Sequence, residues 1–224
     1  MPIFSKENTR LLFIHIPKTA GSSIEDYFAE QGWSVDYLDR SNPTHFDSLN
    51  YCRRVSPQHM HNRLLRETFN LEGFDLIFTV IRNPIERFKS EFAWRNPSGS
   101  TEEVDEKQVE NWWSHHKRLF RKDQYHFDNH LRPQTDFILP EARVFRFESD
   151  LDSVASLALG LGPANRLRGA RQNPLPRVGK SWNSSQSIPI SSRLSKDLSR
   201  FYKEDFKYQK LRLDNLIEPG ANHI

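Results

Sequence analysis

The chain has 224 residues, of which 36% are hydrophobic and 27% are charged, and its formal net charge is +3. This length and composition fit one soluble globular domain, and the near balance of charge argues against a general nucleic-acid binder, whose surface would be one-sidedly basic. No apolar run approaches the roughly 20 residues that a membrane-spanning helix needs.

The cysteine content and the first residues bear on the compartment. The single cysteine excludes an internal disulfide framework. The opening stretch, MPIFSKENTR, lacks the long apolar core of a signal peptide. We therefore expect a cytoplasmic protein. Because the sequence shows no internal repeat and no long low-complexity linker, we expect residues 1–224 to form one domain.

The first half of the chain predicts two strands and two helices. The apolar run LLFIHI predicts a strand at residues 11–16, and a helix follows over about residues 22–31. The alternating stretch WSVDYL predicts a second strand. Ser56 and Pro57 are typical of a helix start, with a capping residue before a proline at the first helical position. They predict one helix that continues to the end of SPQHMHNRLL.

The second half continues this alternation. The nearly continuous apolar run FDLIFTVI predicts a central parallel strand covered on both faces. Asn83 and Pro84 start a helix, VENWWSHHKRLF predicts another, and ARVFRF predicts a strand followed by a helix that ends near Gly160. Residues 160–190 show no regular period, and a last helix is predicted over residues 191–206. The alternation predicts an α/β fold in which helices flank a P-loop-like, largely parallel central sheet.

The turn IPKTAGSS connects the first predicted strand to the first helix. Backbone N–H groups at a helix start favour anions, and a glycine lets the backbone approach a ligand closely. A lysine and three hydroxyls add a charge and further donors, so the turn predicts a phosphate or sulfate site, with an ordinary helix cap as the alternative. The residues concerned are Lys18, Thr19, Gly21, Ser22 and Ser23.

This turn is not a Walker A loop, because the lysine precedes the glycine instead of following it. A nucleoside triphosphatase would also need an acidic residue after an apolar strand to organise magnesium. Asp75 comes before the strand LIFTVI, at the wrong end. We therefore expect a metal-independent site.

A second predicted anion element is RNPIERFKS. Arg82 follows the central strand, and Ser90 lies further along the predicted helix. An arginine can form several hydrogen bonds to one phosphate. Ser90 can approach the same ligand only if the helix folds back over it.

These two elements resemble those of sulfotransferases that use 3′-phosphoadenylyl sulfate (PAPS). IPKTAGSS resembles that family's loop for the 5′-phosphosulfate, and RNPIERFKS resembles its 3′-phosphate element. RPQTDFI and FRFESDL also resemble segments of these proteins. The resemblance spans roughly residues 11–151. More specifically, the sequence resembles bacterial members of the carbohydrate-type group, which are related to heparan sulfate 2-O-sulfotransferases.

The resemblance implies a donor, PAPS, its product 3′-phosphoadenosine 5′-phosphate (PAP), and a carbohydrate or glycoconjugate acceptor. It implies that Arg82 and Ser90 bind the 3′-phosphate and that Lys18 neutralises charge on the bridging oxygen during transfer. It also implies a loop within residues 160–190, in particular Arg166–Lys180, that closes over the adenine and the 3′-phosphate. An ordinary surface loop is the alternative for this segment. The residues implied for the 5′ end are Lys18, Thr19, Ala20, Gly21, Ser22 and Ser23.

Transfer to a hydroxyl needs a general base, and histidine suits that role. The chain has nine histidines. His59 matches the position of the family's catalytic histidine, with His61 as its alternative; both could instead face solvent on a helix. Two residues apart on one helix, the two side chains would point in different directions. His45 and Glu25 are weaker candidates for the base.

Several other side chains admit two interpretations. Arg132 and Gln134 could contact a ligand or brace the sheet. Three tryptophans could stack on sugar faces or pack in the core, and the latter is commoner. His15 is predicted to be buried structure, and the histidines of the second half are predicted to lie on helix faces or the surface. The tryptophans are Trp94, Trp112 and Trp113, and the later histidines are His115, His116, His126 and His130. A non-catalytic PAPS or PAP binder and, less well supported, a small-molecule kinase remain alternatives to a sulfotransferase.

Overall fold

The computed structural model describes residues 1–41, 46–96, 104–160 and 185–217. Five strands form one sheet. They are β1 (Ile3–Lys6), β2 (Thr9–Ile14), β3 (Ser34–Asp36), β4 (Leu76–Ile81) and β5 (Arg143–Arg146). The spatial order is β3-β1-β2-β4-β5, with β2, β4 and β5 parallel and β1 antiparallel to both of its neighbours. The expected parallel core is confirmed, and two antiparallel strands extend it on one side.

Helices flank this sheet. They are α1 (Gly21–Glu30), α2 (Asn62–Thr68), α3 (Pro84–Arg95), α4 (Glu106–Lys122), α5 (Leu151–Ala158), α6 (Ser192–Phe201) and α7 (Lys203–Ile217). The start of α3 follows the expected chemistry, since the Asn83 side chain accepts hydrogen bonds from the first free backbone N–H groups and Pro84 needs none. Within the described ranges, no helix has the length and apolar character that crossing a bilayer requires.

The parallel strands are buried on both faces, which explains their continuous apolar runs. Phe13 and Phe78 lie on one face and pack with α1 and α5. Leu12 and Ile77 lie on the other face and pack around Leu65 of α2. A third apolar cluster joins α3, α4 and α6. The loops that follow these strands therefore project from a sheet that is packed on both faces.

The ends of β2 and β4 lie side by side. Ile14 is opposite Thr79 in the parallel register, and the Thr79 hydroxyl donates a hydrogen bond of 2.7 Å to the Ile14 carbonyl. Ligands of α/β proteins bind beyond the carboxyl ends of such strands. The loops that follow β2 and β4 therefore meet at this edge of the sheet.

Two predicted helices differ in the structure. The expected helix from Ser56 is a short 3₁₀ turn, Pro57–His59, separated from α2 by extended residues. The Ser56 hydroxyl lies 3.1 Å from the His59 ring and does not cap the helix backbone, so the first turn does not propagate. The last predicted helix is divided into α6 and α7 at Tyr202, whose hydroxyl donates to the Leu131 carbonyl at 3.0 Å.

Candidate functional site

The loop after β2, residues 17–23, is called the anion loop here. Its backbone is left-handed at Lys18 (φ 70°) and at Ala20 (φ 72°). The Thr19 hydroxyl donates to the Ile16 carbonyl at 2.8 Å and closes the turn from within. Ala20 is the N-cap of α1 and supplies no side-chain hydrogen bond to the helix start. The first N–H groups of α1 therefore lack a side-chain cap, which favours an anion at this point.

The predicted loop residues differ in exposure. Ser22 is exposed, and Lys18 and Ala20 are half-buried. Thr19, Gly21 and Ser23 are buried. The Thr19 side chain thus contributes to the shape of the loop.

Gly21 is required by a neighbouring histidine. A Cβ atom at this position would lie 1.9 Å from Nε2 of His15. The His15 ring therefore packs directly under the start of α1, where only glycine leaves it room. His15 is buried, as predicted.

Lys18 presents a cation without an acidic partner. Its Nζ lies 4.8 Å from the centre of the Trp94 ring, and it makes no ion pair with any described residue. Burial lowers the pKa of Lys18, and the charge of Glu91 partly opposes that shift. An incoming anion would both neutralise this ammonium group and compensate its lost hydration.

Arg82 is the second cation at this edge. Its Nη1 donates a hydrogen bond of 3.3 Å to the Lys18 carbonyl, which joins the end of β4 to the anion loop. Its Nε is buried and has no hydrogen-bond partner in the part of the chain that the structure describes. The guanidinium lies 4.4 Å from the Phe147 ring centre, and burial lowers its pKa. An unpartnered buried donor on a charged group fits a site for an anionic oxygen.

The backbone of Arg82 is held from the opposite side. The Gln134 amide accepts a 2.9 Å bond from the Arg82 N–H and donates a 2.8 Å bond to its carbonyl. Arg132 is buried and bonded to Asn129 and Asp136. In the structure both Gln134 and Arg132 therefore brace other residues.

Arg87 was not among the predicted site residues. From α3, its Nε donates to the Pro17 carbonyl at 3.0 Å, and Nη2 donates to the carbonyls of His130 (2.6 Å) and Arg132 (2.8 Å). It thereby ties the anion loop to the segment before Gln134. Ser90, one turn further along α3, is half-buried.

Three buried histidines lie in a row beside the anion loop and form, with their acidic partners, the histidine cluster. The rings of His15 and His59 are 4.8 Å apart, and those of His59 and His130 are 4.9 Å apart. The His130 ring also stacks on Trp94 at 5.2 Å. A series of side-chain contacts therefore connects Lys18 to His59 through Trp94 and His130.

Each histidine of the cluster pairs through Nδ1 with a carboxylate. The pairs are His15–Glu25 (2.6 Å), His59–Asp128 (2.7 Å) and His130–Glu91 (2.7 Å). Burial lowers the pKa of His59 to about 3, although Asp128 opposes the shift. Burial raises the pKa of Asp128, but the hydrogen bonds to His59 and Ser56 outweigh it and lower that pKa to about 2. At neutral pH, the His59 ring is neutral and Asp128 is ionised.

Glu25, the alternative base, is committed to two partners. Besides His15, it accepts a hydrogen bond of 2.9 Å from Arg40. Burial favours its neutral form, but His15 and Arg40 outweigh that effect and lower its pKa to about 2. Both oxygens of Glu25 are thus taken by protein partners, which makes it a poorer candidate for the base.

His61 lies outside the histidine cluster. It is the N-cap residue of α2, and its ring contacts Tyr125 at 5.9 Å. Its Nδ1 is buried, and no described residue forms a hydrogen bond with it. Burial lowers its pKa to about 4, and the charges of Arg132 and Arg63 add to the shift. His59 and His61 do point to different neighbours, but because the backbone is extended between them and not because they share a helix.

Among the remaining candidates, Trp112 and Trp113 pack within the third apolar cluster, whereas Trp94 is 49% exposed. His116 and His126 contact each other at 3.0 Å, next to Trp112. His130 is buried in the histidine cluster, contrary to the predicted surface or helix-face position. His45 and Arg166–Lys180 lie outside the described residues.

Part of the cluster resembles a set of metal ligands. His59, Asp128 and His130 each bring one ligand atom to within 4.8 Å of the others. Ligands of a tetrahedral zinc ion, bound at about 2.0–2.2 Å, lie roughly 3.5 Å apart. The three side chains would have to move closer together to bind such an ion, and the contact between His59 and Asp128 would have to open.

The chain matches the family model described as sulfotransferase family over residues 1–210. No curated protein and no solved structure matches it. The matched range contains the anion loop, Arg82, Ser90 and the whole histidine cluster.

Proposed function

The chain belongs to the sulfotransferase family, and we propose that it transfers a sulfuryl group from PAPS to a hydroxyl of a carbohydrate or glycoconjugate. The observation that carries this proposal is the meeting of two cations, Lys18 and Arg82, at the ends of adjacent parallel strands. Neither forms an ion pair with an acidic side chain of the described residues. A buried histidine, His59, is connected to Lys18 through the rings of His130 and Trp94. Anion binding and proton acceptance are the two capacities that such a transfer needs.

In this proposal the anion loop binds the 5′-phosphosulfate, and Arg82 and Ser90 bind the 3′-phosphate. The N-cap residue of α1, Ala20, makes no side-chain bond to the helix start, and Arg82 Nε has no hydrogen-bond partner among the described residues. Two separate anion positions would distinguish PAPS from a nucleotide that carries phosphate only at its 5′ end. No metal is required, because protein cations face both positions.

His59 accepts the proton of the attacking hydroxyl. The neutral ring is the form that a base needs, and the Asp128 carboxylate, 2.7 Å from Nδ1, would stabilise the ring once it takes up the proton. Lys18 acts at the other end of the reaction, where the bond between sulfur and the 5′-phosphate oxygen breaks and negative charge builds on the leaving PAP. The carbohydrate acceptor and the cytoplasmic location are proposed from the sequence.

The proposal is tested by sulfate transfer from ³⁵S-labelled PAPS to a panel of glycans and simple alcohols, with and without EDTA. We expect labelled product that depends on a hydroxyl acceptor and not on a divalent metal. PAP binding without transfer to any acceptor would favour the non-catalytic binder. Phosphate transfer from ATP, dependent on magnesium, would favour a small-molecule kinase.

A further inference from the structure

A strained turn lies against His59. Three consecutive residues, Phe127, Asp128 and Asn129, have left-handed backbones with φ values of 57°, 54° and 65°, and none is a glycine. Side chains at such φ values crowd their own backbone, so a run of three persists only where the surroundings impose it. The question is what this turn holds in place.

The turn holds His59 at two points. Asp128 Oδ2 lies 2.7 Å from the ring Nδ1, and the Asn129 side-chain amide donates a 2.8 Å bond to the His59 carbonyl. Asn129 is fully buried, and Arg132 donates to its Oδ1 at 3.0 Å, which fixes the orientation of the amide. Ring and main chain of one histidine are therefore set by two adjacent residues.

Asp128 is itself held in position. Its Oδ1 accepts a 2.6 Å bond from the Ser56 backbone N–H, while Oδ2 faces His59. Asp128 forms no ion pair with a lysine or arginine of the described residues. By contrast, Glu91, the partner of His130, also binds Arg95 at 2.8 Å, which draws part of its charge away from the ring. Of these two carboxylates, only that of Asp128 has no lysine or arginine partner among the described residues.

We propose that Asp128 is a positioning residue that keeps the proton of neutral His59 on Nδ1 and leaves the Nε2 lone pair for the acceptor hydroxyl. This inference rests on the proposed function. In the transfer, the acceptor oxygen forms a bond to sulfur, the bond from sulfur to the 5′-phosphate oxygen breaks, and PAP leaves with that electron pair. The hydroxyl proton moves to Nε2, and the adjacent carboxylate stabilises the resulting imidazolium.

The same geometry explains why His61 cannot substitute for His59. The His61 Nδ1 is buried without a hydrogen-bond partner among residues 1–41, 46–96, 104–160 and 185–217, so no carboxylate of these ranges selects its tautomer through Nδ1. Nothing comparable to the turn at Phe127–Asn129 holds its ring among the described contacts.

The test begins with the tautomer of His59 in the wild-type protein, read from ¹⁵N chemical shifts of labelled histidine and assigned with His59→Gln. We expect Nδ1 protonated and Nε2 unprotonated. The Asp128→Asn variant should lose this preference, and its kcat should fall about 10²–10⁴-fold while its PAP affinity stays within about twofold. Asp128→Glu should restore part of the rate.

The matched control is Asp123→Asn. Asp123 follows α4 and pairs with the exposed Arg54 at 2.9 Å, outside the hydrogen bonds that hold His59. This variant should keep the wild-type tautomer and rate. A wild-type His59 protonated on Nε2, or an Asp128→Asn variant with unchanged kcat, would overturn the proposal. If no acceptor is sulfated but Asp128→Asn still changes the tautomer, the proposed function fails and the positioning role of Asp128 stands.

Discussion

The anion loop and the histidine cluster lie side by side but differ in whether their charged groups have partners within the protein. In the loop, Lys18 makes no ion pair with a described residue and the start of α1 lacks a side-chain cap. In the cluster, each histidine already has a carboxylate at 2.6–2.7 Å. The loop is thus incomplete without an anion, whereas the cluster is complete without a ligand. We infer that the loop determines binding and the cluster determines the rate of the chemical step.

The largest expected effect tests the cluster. His59→Ala should lower the rate of transfer about 10²–10⁴-fold, the usual contribution of a general base, with PAP affinity nearly unchanged. His61→Ala should stay within a few-fold of wild type because its ring lies outside the cluster. Single-turnover kinetics at saturating PAPS distinguish the two variants. A large loss at His61 with little at His59 would reverse the assignment.

Lys18 lies in the anion loop, but we expect it to contribute to the chemical step as well as to binding. Lys18→Ala should lower kcat about 10²–10³-fold, as removal of a group that stabilises developing charge usually does, and weaken PAPS binding less. Steady-state kinetics together with direct PAPS binding separate the two effects. Lys89→Ala is the control, since Lys89 pairs with Glu86 on α3. If kcat is retained and only KM rises, Lys18 is a binding residue alone.

Gly21 of the anion loop packs directly against His15 of the histidine cluster. Gly21→Ala places a methyl group 1.9 Å from the His15 ring. Either the ring or the start of α1 must move, and we expect a loss of about 1–3 kcal/mol in the free energy of unfolding, measured with urea. Gly73→Ala is the matched control, because no atom lies within 4 Å of its Cβ position. Equal stability of the two variants would show that His15 does not constrain the loop.

The smallest effect is the acid sensitivity of the cluster. The pKa of His59 is about 3 in the folded protein and near 6.5 when the chain is unfolded. Between these values the unfolded chain binds the proton and the folded protein does not. The free energy of unfolding should therefore fall as the pH drops below 6.5, by up to about 1.4 kcal/mol per pH unit from His59.

Urea unfolding at pH 7, 6 and 5 measures this slope. His59→Gln should reduce it, whereas His115→Gln, at an exposed position on α4, should leave it unchanged. A stability that does not change between pH 7 and pH 5 would contradict the buried, neutral state of His59.

The two regions also differ in how far the sequence predicts them. The anion loop is a contiguous segment between a strand and a helix, so its residues could be recognised in IPKTAGSS, and Arg82 followed from the end of a strongly apolar strand. The histidine cluster is assembled from distant segments. Asp128 is 69 residues from His59, and Glu91 is 39 residues from His130. No local pattern predicts such pairs, so Asp128, Glu91 and His130 were missed.

The error at the helix after Ser56 has a related cause. Ser56 and Pro57 carry the local signals of a helix start, but the Ser56 hydroxyl contacts the His59 ring, and its N–H donates to Asp128. A long-range contact thus replaces the local cap. The central strands are easier to predict because an apolar run such as FDLIFTVI is typical of a buried strand. The short strand β1 has no such apolar run and was not predicted.

The central claim is that the unpaired cations select a donor with two anionic ends, and the most direct test compares PAP with AMP, which lacks the 3′-phosphate. Calorimetry without magnesium should show PAP binding at least tenfold more tightly than AMP to the wild-type protein. The Arg82→Ala variant should lose most of that preference, since a charge-assisted hydrogen bond contributes about 1.5–3 kcal/mol. Arg63→Ala, on the exposed face of α2, should retain it. Equal binding of PAP and AMP by the wild type, or an undiminished preference in a folded Arg82→Ala variant, would contradict the account.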